Sequence, residues 1–189
     1  MKLDVTEPAA CDTVVQDVAK RFSNRFHLII CCGVLADKPM TLVTPEEWRH
    51  VISVNLDGPF YLLRSAFRSL AVGGVGRVVL LGSLSGRFGF PGQAAYASSK
   101  AGLEALCRVA AVELGRFGVT CNVVAPGALA AGMAGEISPE AQSFIKSRTP
   151  TRCIGTADQV ASSVSYLLSP EAGHITGQTL HVDGGFSIA

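Results

Sequence analysis

Tyr96 and Lys100 stand one helical turn apart, so on a helix their side chains reach the same site. Ser83 precedes them, in the segment Gly82-Ser83-Leu84-Ser85-Gly86 that follows an apolar run. Together these side chains form a proton-transfer set suited to carbonyl reduction. A tyrosine hydroxyl ordinarily ionises near pH ~10. A cation beside it favours the phenolate, and Lys100 can supply that field. A serine hydroxyl can hydrogen-bond a substrate oxygen as charge develops on it. Any helix with an exposed lysine and a half-buried tyrosine shows the same Tyr-x-x-x-Lys spacing, so the spacing alone leaves both readings open.

The elements that must position these groups alternate along the chain. Residues 8–23 read as an amphipathic helix with Val14, Val15, Val18, Ala19 and Phe22 on one side. Leu28–Cys32 is a wholly apolar run closed by Gly33, as expected of a buried parallel strand. Thr44-Pro45-Glu46-Glu47 starts a helix: Thr44 is the N-cap, Pro45 takes the first position and Glu47 completes a capping box. That helix carries Trp48, and a second apolar stretch covers Val54–Leu70. Arg77–Leu81 is a second strand, and Ala94–Phe117 is a long helix stopped by Gly118. Thr120–Val124 is a third strand, ended by Pro126-Gly127. A looser region over 128–150 precedes a helix at about 157–168, and Thr179–Val182 forms a fourth strand. Strands alternating with helices predict a Rossmann-like, doubly wound α/β fold with a parallel sheet and helices on both faces. Ligands of such sheets sit beyond the carboxyl ends of the strands, where Ser83 and Pro126-Gly127 fall.

Bulk properties narrow the function classes. The 189 residues suit one domain, and 48% hydrophobic against 16% charged residues argues against a disordered chain. A net charge of +1, with scattered basic residues, points to no nucleic-acid partner and no membrane surface. The first twelve residues lack the apolar core of a signal peptide, and no apolar run is long enough for a membrane span. The cysteines at 11, 31, 32, 107, 121 and 153 form no disulfide framework and mostly sit in apolar patterns, which predicts a reducing, cytoplasmic location. The histidines at 27, 50, 174 and 181 have no metal-ligand spacing, so no metal site is expected.

Longer motifs carry more than the Tyr/Lys spacing. Gly82–Gly86 followed by Pro91-Gly92-Gln93-Ala94-Ala95-Tyr96-Ala97-Ser98-Ser99-Lys100-Ala101-Gly102 resembles the active-site segment of short-chain dehydrogenases/reductases. Asn122-Val123-Val124-Ala125-Pro126-Gly127 and the ending Ile175-Thr176-Gly177-Gln178 with Val182-Asp183-Gly184-Gly185 resemble two further family motifs. Val54-Asn55-Leu56-Asp57-Gly58 resembles the segment with the family's asparagine. The overall pattern looks most like the subgroup of 3-oxoacyl-(acyl-carrier-protein) reductases and related sugar or alcohol dehydrogenases.

The resemblance implies an oxidoreductase that uses NADP or NAD to interconvert a ketone and a secondary alcohol. Tyr96 would be the acid/base, and Lys100 would lower its pKa and hold the cofactor ribose. Ser83 would orient the carbonyl, and Asn55 would keep a water in the proton relay behind Lys100. Pro126 and Gly127 would line the nicotinamide, Asp4 and Val5 would touch the adenine, and Gly33 would belong to the cofactor-binding set. Asn55 could instead only bridge its helix to backbone, and Asp4 could be a terminal residue without a ligand. Family members commonly form tetramers through two long helices and the C-terminal strand. The several apolar faces of Ala94–Phe117 fit such a bundle.

Departures from the family pattern accompany the matches. No Gly-x-x-x-Gly-x-Gly turn precedes residue 30, so the pyrophosphate-binding loop is missing and the domain, 1–189, reads as incomplete at its N-terminus. Where the family has Asn-Asn-Ala-Gly, this chain has Ile30-Cys31-Cys32-Gly33, and Ala131 stands where a threonine often bonds the nicotinamide carboxamide. Cofactor binding is therefore expected to be weakened or lost. The strand at Leu28–Cys32 would be left as a bare edge. The alternative reading is an inactive relative that assembles with full-length family members in a hetero-oligomer. The 128–150 region (Leu129, Met133, Ile137, Phe144) would form an apolar lid favouring an aliphatic or aromatic ketone. Phe117, beside Arg116, occupies the place of a basic residue common in carrier-protein reductases, so a carrier-protein partner is one option.

Overall fold

A computed structural model describes residues 2–130 and 138–189. Among them, four strands, β1 (Leu28–Ile30), β2 (Arg77–Leu81), β3 (Thr120–Pro126) and β4 (Thr179–Val182), form one parallel sheet in the order β1-β2-β3-β4. β2 and β3 are central, and both are nearly continuous apolar runs because both of their faces are covered.

Alternating side chains divide between two cores. Val78 and Leu80 of β2, with Cys121, Val123 and Ala125 of β3, face α1 (Pro8–Arg21), α3 (Gly58–Gly73) and α4 (Ala94–Gly115). Val79 and Val124 face the other way, onto Val160, Val164 and Leu167 of α6 (Ala157–Leu168). Helices thus cover both faces of the sheet, as the sequence pattern predicts. β1 pairs only with β2 among the described residues, and Ile29 on this edge is 44% exposed.

The capping signals act as read. Glu47 N–H donates to Thr44 Oγ1 at 3.2 Å and Thr44 N–H to Glu47 Oε2 at 2.9 Å, opening α2 (Pro45–Ile52). A second capping box, Thr156 with Gln159, opens α6. One expectation is corrected: the looser 128–150 region contains α5 (Pro139–Arg148), capped by Ser138. None of its residues is buried, so it lacks the apolar stripe by which a helix is recognised. The long helix also stops at Gly115, and Gly118 takes a left-handed φ of 75° in the turn into β3.

α4 has two faces with different fates. Leu103, Ala110 and Leu114 are buried in the core, while Val109 and Val112 stand 55% and 81% exposed. Leu103→Ala should therefore cost about 2–5 kcal/mol through the cavity it leaves. Val112→Ala should stay within about 0.5 kcal/mol. Urea denaturation of the two variants measures both.

Candidate active site

The carboxyl ends of β2 and β3 meet at the start of α4. Gly82 N–H continues the ladder to Val124 O at 2.8 Å, and a Cβ there would lie 2.5 Å from Val123 Cγ1. Only glycine lets β2 run this close to β3 one residue before Ser83. Gly86 serves the next turn in the same way, since a Cβ would stand 3.0 Å from the Lys100 and Ala101 backbone. The two glycines of Gly-Ser-Leu-Ser-Gly thus seat the serines between strand and helix. Ser83, extended at φ −166°, caps the short turn Leu84–Gly86 by accepting from Ser85 N–H at 3.1 Å.

Tyr96 and Lys100 lie on the buried side of α4, 8% and 3% exposed. Burial pushes the Tyr96 phenol above its ordinary value; hydrogen bonding with the Ser83 hydroxyl works the other way, and the Asp37 carboxylate raises it slightly further. Lys100 Nζ lies 5.6 Å from the Tyr96 ring centroid and donates to Leu81 O, at the end of β2, at 2.8 Å. Its burial lowers the ammonium's pKa to about 8.

Asn55 is fully buried in a widened, π-helical segment, Ser53–Asp57, between α2 and α3. Such one-turn widenings recur at functional sites. Its Nδ2 donates to Val34 O at 2.9 Å and to Ser99 Oγ at 3.1 Å, and its Oδ1 accepts from Val34 N–H at 2.7 Å. It therefore does bridge its helix to backbone. It also reaches the Lys100 neighbourhood: a Cβ on Gly33 would stand 3.5 Å from both Asn55 Oδ1 and Lys100 Nζ. Gly33 carries the chain past these two polar groups with no side chain between them.

Ile30 and Cys31 occupy the place of the family's two amides, and Cys32 that of its alanine. The nearby Lys100 ammonium favours the thiolates of Cys31 and Cys32, but burial outweighs it and raises both pKa values. Cys32 Sγ donates to Val54 O at 3.9 Å, so the bracing between β1 and the Asn55 segment now rests on Asn55 and this thiol. Pro126 ends β3, and Gly127 N–H donates to Val182 O at 3.0 Å. A Cβ on Gly127 would meet Asp183 Cα at 2.9 Å, which explains the glycine by packing. Ala131 lies outside the described residues.

Asp4 and Val5 make contacts of their own. The Asp4 carboxylate accepts from Thr6 N–H at 2.9 Å and Thr6 Oγ1 at 2.7 Å, an Asx turn whose bonds hold its pKa below the ordinary value. Val5 packs on Gly58, the first residue of α3, where a Cβ would come within 2.8 Å of it. The structure thus gathers Ser83, Tyr96, Lys100, Asn55 and Gly33 around one point, with Pro126-Gly127 on the same sheet edge. Sequence reasoning missed Ser99, the partner of Asn55, and the pair Ser85–Gln93 behind Ser83.

The nicotinamide-ribose half of a dinucleotide fits what is present: a buried amine and phenol beside a side-chain-free stretch at Gly33. The described residues hold no glycine turn opening a helix for the pyrophosphate. They also hold no group of His, Cys, Asp or Glu arranged to bind a metal, no disulfide, and no helix long and apolar enough to cross a membrane.

Comparison with known proteins places this geometry in context. A family model described as enoyl-(acyl carrier protein) reductase matches residues 1–187. The chain is 35% identical over 185 residues to the 3-oxoacyl-(acyl-carrier-protein) reductase of Salmonella typhimurium, covering 98% of this chain and 76% of that relative. It is also 35% identical to the mouse (3R)-3-hydroxyacyl-CoA dehydrogenase, covering 96% of this chain and 71% of that relative. A crystal structure from Sinorhizobium meliloti, described as a short-chain alcohol dehydrogenase, superposes with a TM-score of 0.94 at 28% identity, over the whole of this chain and 76% of that one.

A buried ammonium costs stability that its neutral form does not. Below pH about 8 the folded and unfolded states both carry the charge. Between about 8 and 10.5 only the unfolded chain keeps the proton, so the penalty is relieved as pH rises through that window. Lys100→Met should accordingly be more stable than the natural chain by about 1–3 kcal/mol at pH ~7. The gap should shrink towards pH 10.5. Denaturation midpoints across that pH range provide the measurement.

Proposed function

Because this chain belongs to the short-chain dehydrogenase/reductase family, we propose that it is an NAD(P)-dependent oxidoreductase that interconverts a ketone and a secondary alcohol. The observation carrying this reading is the convergence of Ser83, Tyr96 and Lys100 at one point on the carboxyl edge of the sheet. When bound, the cofactor supplies or accepts the hydride. Tyr96 and Lys100 would hold its ribose, and Pro126 and Gly127 its nicotinamide. Asp4 and Val5 would face the adenine.

The chain's own residues handle the oxygen and the proton. Ser83 donates a hydrogen bond to the carbonyl oxygen, which gains negative charge as reduction proceeds. Tyr96 gives that oxygen its proton, leaving a phenolate in a site where burial disfavours charge. Lys100 would offset that cost, because its ammonium lies 5.6 Å from the Tyr96 ring centroid. Asn55, with its side chain against Gly33 and Ser99, holds open the polar path by which Lys100 exchanges protons with solvent.

The relatives favour a 3-oxoacyl ketone over a polyol. Acyl-carrier recognition would fall to Arg116, whose guanidinium stacks 4.7 Å from the Phe117 ring centroid. The exposed Val109 and Val112 on α4 support assembly into a homo-oligomer, or with full-length family members.

Two outcomes are expected. Tyr96→Phe should lower kcat for ketone reduction by about 10²-fold or more, since it removes the proton donor while keeping the ring. Retention of most of the rate would reject Tyr96 as the acid. Val109→Glu combined with Val112→Glu should convert the assembly to monomer in light scattering, while Phe144→Glu, at an exposed site on α5 away from the two long helices, should leave its size unchanged.

A further inference from the structure

Ser83 has one proton to give and two lone pairs to fill. Ser85 N–H takes one lone pair at 3.1 Å. A further contact runs from Ser83 Oγ to Ser85 Oγ at 3.2 Å, and from Ser85 Oγ to Gln93 Oε1 at 2.7 Å. An amide oxygen can only accept, so the single proton of Ser85 goes to Gln93. Ser85 is therefore left able only to accept from Ser83. At 7% exposure, Ser85 has little access to water as a substitute for Gln93.

Gln93 occupies the N-cap of α4, yet its side chain makes no capping bond. Its amide serves the Ser83–Ser85 turn instead, while its backbone carbonyl accepts from Ala97 N–H at 2.7 Å. The residue that begins the Tyr96 helix is thus tied directly to the turn that carries Ser83.

We propose that Gln93 is a positioning residue that acts through Ser85 to hold the Ser83 hydroxyl against the Tyr96 hydroxyl and the reacting carbonyl oxygen. The inference rests on the reductase reading above and deepens it. The two contacts differ in strength in a useful way. The 2.7 Å bond to Gln93 is of ordinary length, whereas the 3.2 Å contact from Ser83 is long for paired hydroxyls. The tether keeps the oxygen of Ser83 in place while its proton stays free to turn from Ser85 to the substrate as charge develops there. Gln93 also fixes the direction of the relay, because it prevents Ser85 from spending its own proton on Ser83.

The test compares Gln93→Met, Ser85→Ala and the double variant, with two readouts. The first is the phenolate absorbance of Tyr96 in the cofactor-free chain, taken as the difference from Tyr96→Phe because Tyr61 and Tyr166 also absorb. When Tyr96 ionises, the Ser83 proton can turn from Ser85 to the phenolate, a bond that lowers the Tyr96 pKa, so loosening Ser83 should move Tyr96 ionisation to higher pH in each single variant. The second is turnover: each should lose about tenfold in kcat, with the ketone KM changed less than about twofold. The double variant should lose no more than either single one. Gln93→Asn, one methylene shorter, should behave like Gln93→Met. Additive losses, or a Tyr96 titration unmoved by Gln93→Met and Gln93→Asn, would overturn the proposal. Absence of turnover in the natural chain would instead reject the reductase reading, and the absorbance titration would still decide whether Gln93 is coupled to Tyr96.

Discussion

A lysine ammonium held almost out of water fixes much of the architecture around it. Lys100 keeps its charge below pH about 8 despite burial, and it needs a polar partner. The partner is Leu81 O, the last carbonyl of β2, so the bond locks the first turns of α4 to the carboxyl end of the central strand. Everything else at the site is arranged within this lock. Gly86 must lack a side chain for the Ser83 turn to lie on the backbone of Lys100. Gly33 must pass between β1 and the helices without filling the space beside the amine. Asn55 supplies the polar wall on the far side, anchored to Val34 and Ser99. A buried charge of this kind is a poor stabiliser, so its presence is better explained by chemistry than by folding.

Asn55 shows how packing and chemistry share one residue. Its three hydrogen bonds satisfy a fully buried amide and tie the π-helical turn to Val34, beyond β1, and to Ser99 of α4. The same bonds aim its carbonyl oxygen at the Gly33 passage near Lys100. With Ile30 and Cys31 in place of amides at the end of β1, these bonds carry more of the bracing between strand and helix. The thiols contribute one long contact to Val54 and little polarity.

Much of the fold was legible because buried parallel strands leave a strong trace. β2 and β4 have the bounds read from their apolar runs, and Thr44 with Glu47 marked the start of α2. α5 left a weaker trace. Its cap, Ser138-Pro139-Glu140, is visible in the sequence, but the helix buries nothing and has no stripe to match. The π-helical turn at Ser53–Asp57 was hidden for a different reason: a run such as Val-Asn-Leu-Asp-Gly suits an uninterrupted helix equally well. The bonds that accompany the widening, to Val34 and Ser99, come from positions distant in sequence. At the site, Tyr96, Lys100 and Ser83 were legible from spacing and motif, whereas the Ser85–Gln93 tether depends on a tertiary meeting of two turns. Asp4 shows another limit: its carboxylate is held by Thr6, two residues on, a local turn that only the structure shows.

The central claim is that the edge formed by Lys100, Tyr96 and Gly33 receives the nicotinamide-ribose half of a dinucleotide, even though the described residues offer no glycine turn for the pyrophosphate. Calorimetric titration of the chain with NADPH and NADH, beside the same titration of Lys100→Met, addresses it most directly. The account predicts saturable binding of one of them at or below millimolar concentration, lost or strongly weakened in Lys100→Met. A folded natural chain that binds neither, or a Lys100→Met variant that binds as well as the natural chain, would contradict it.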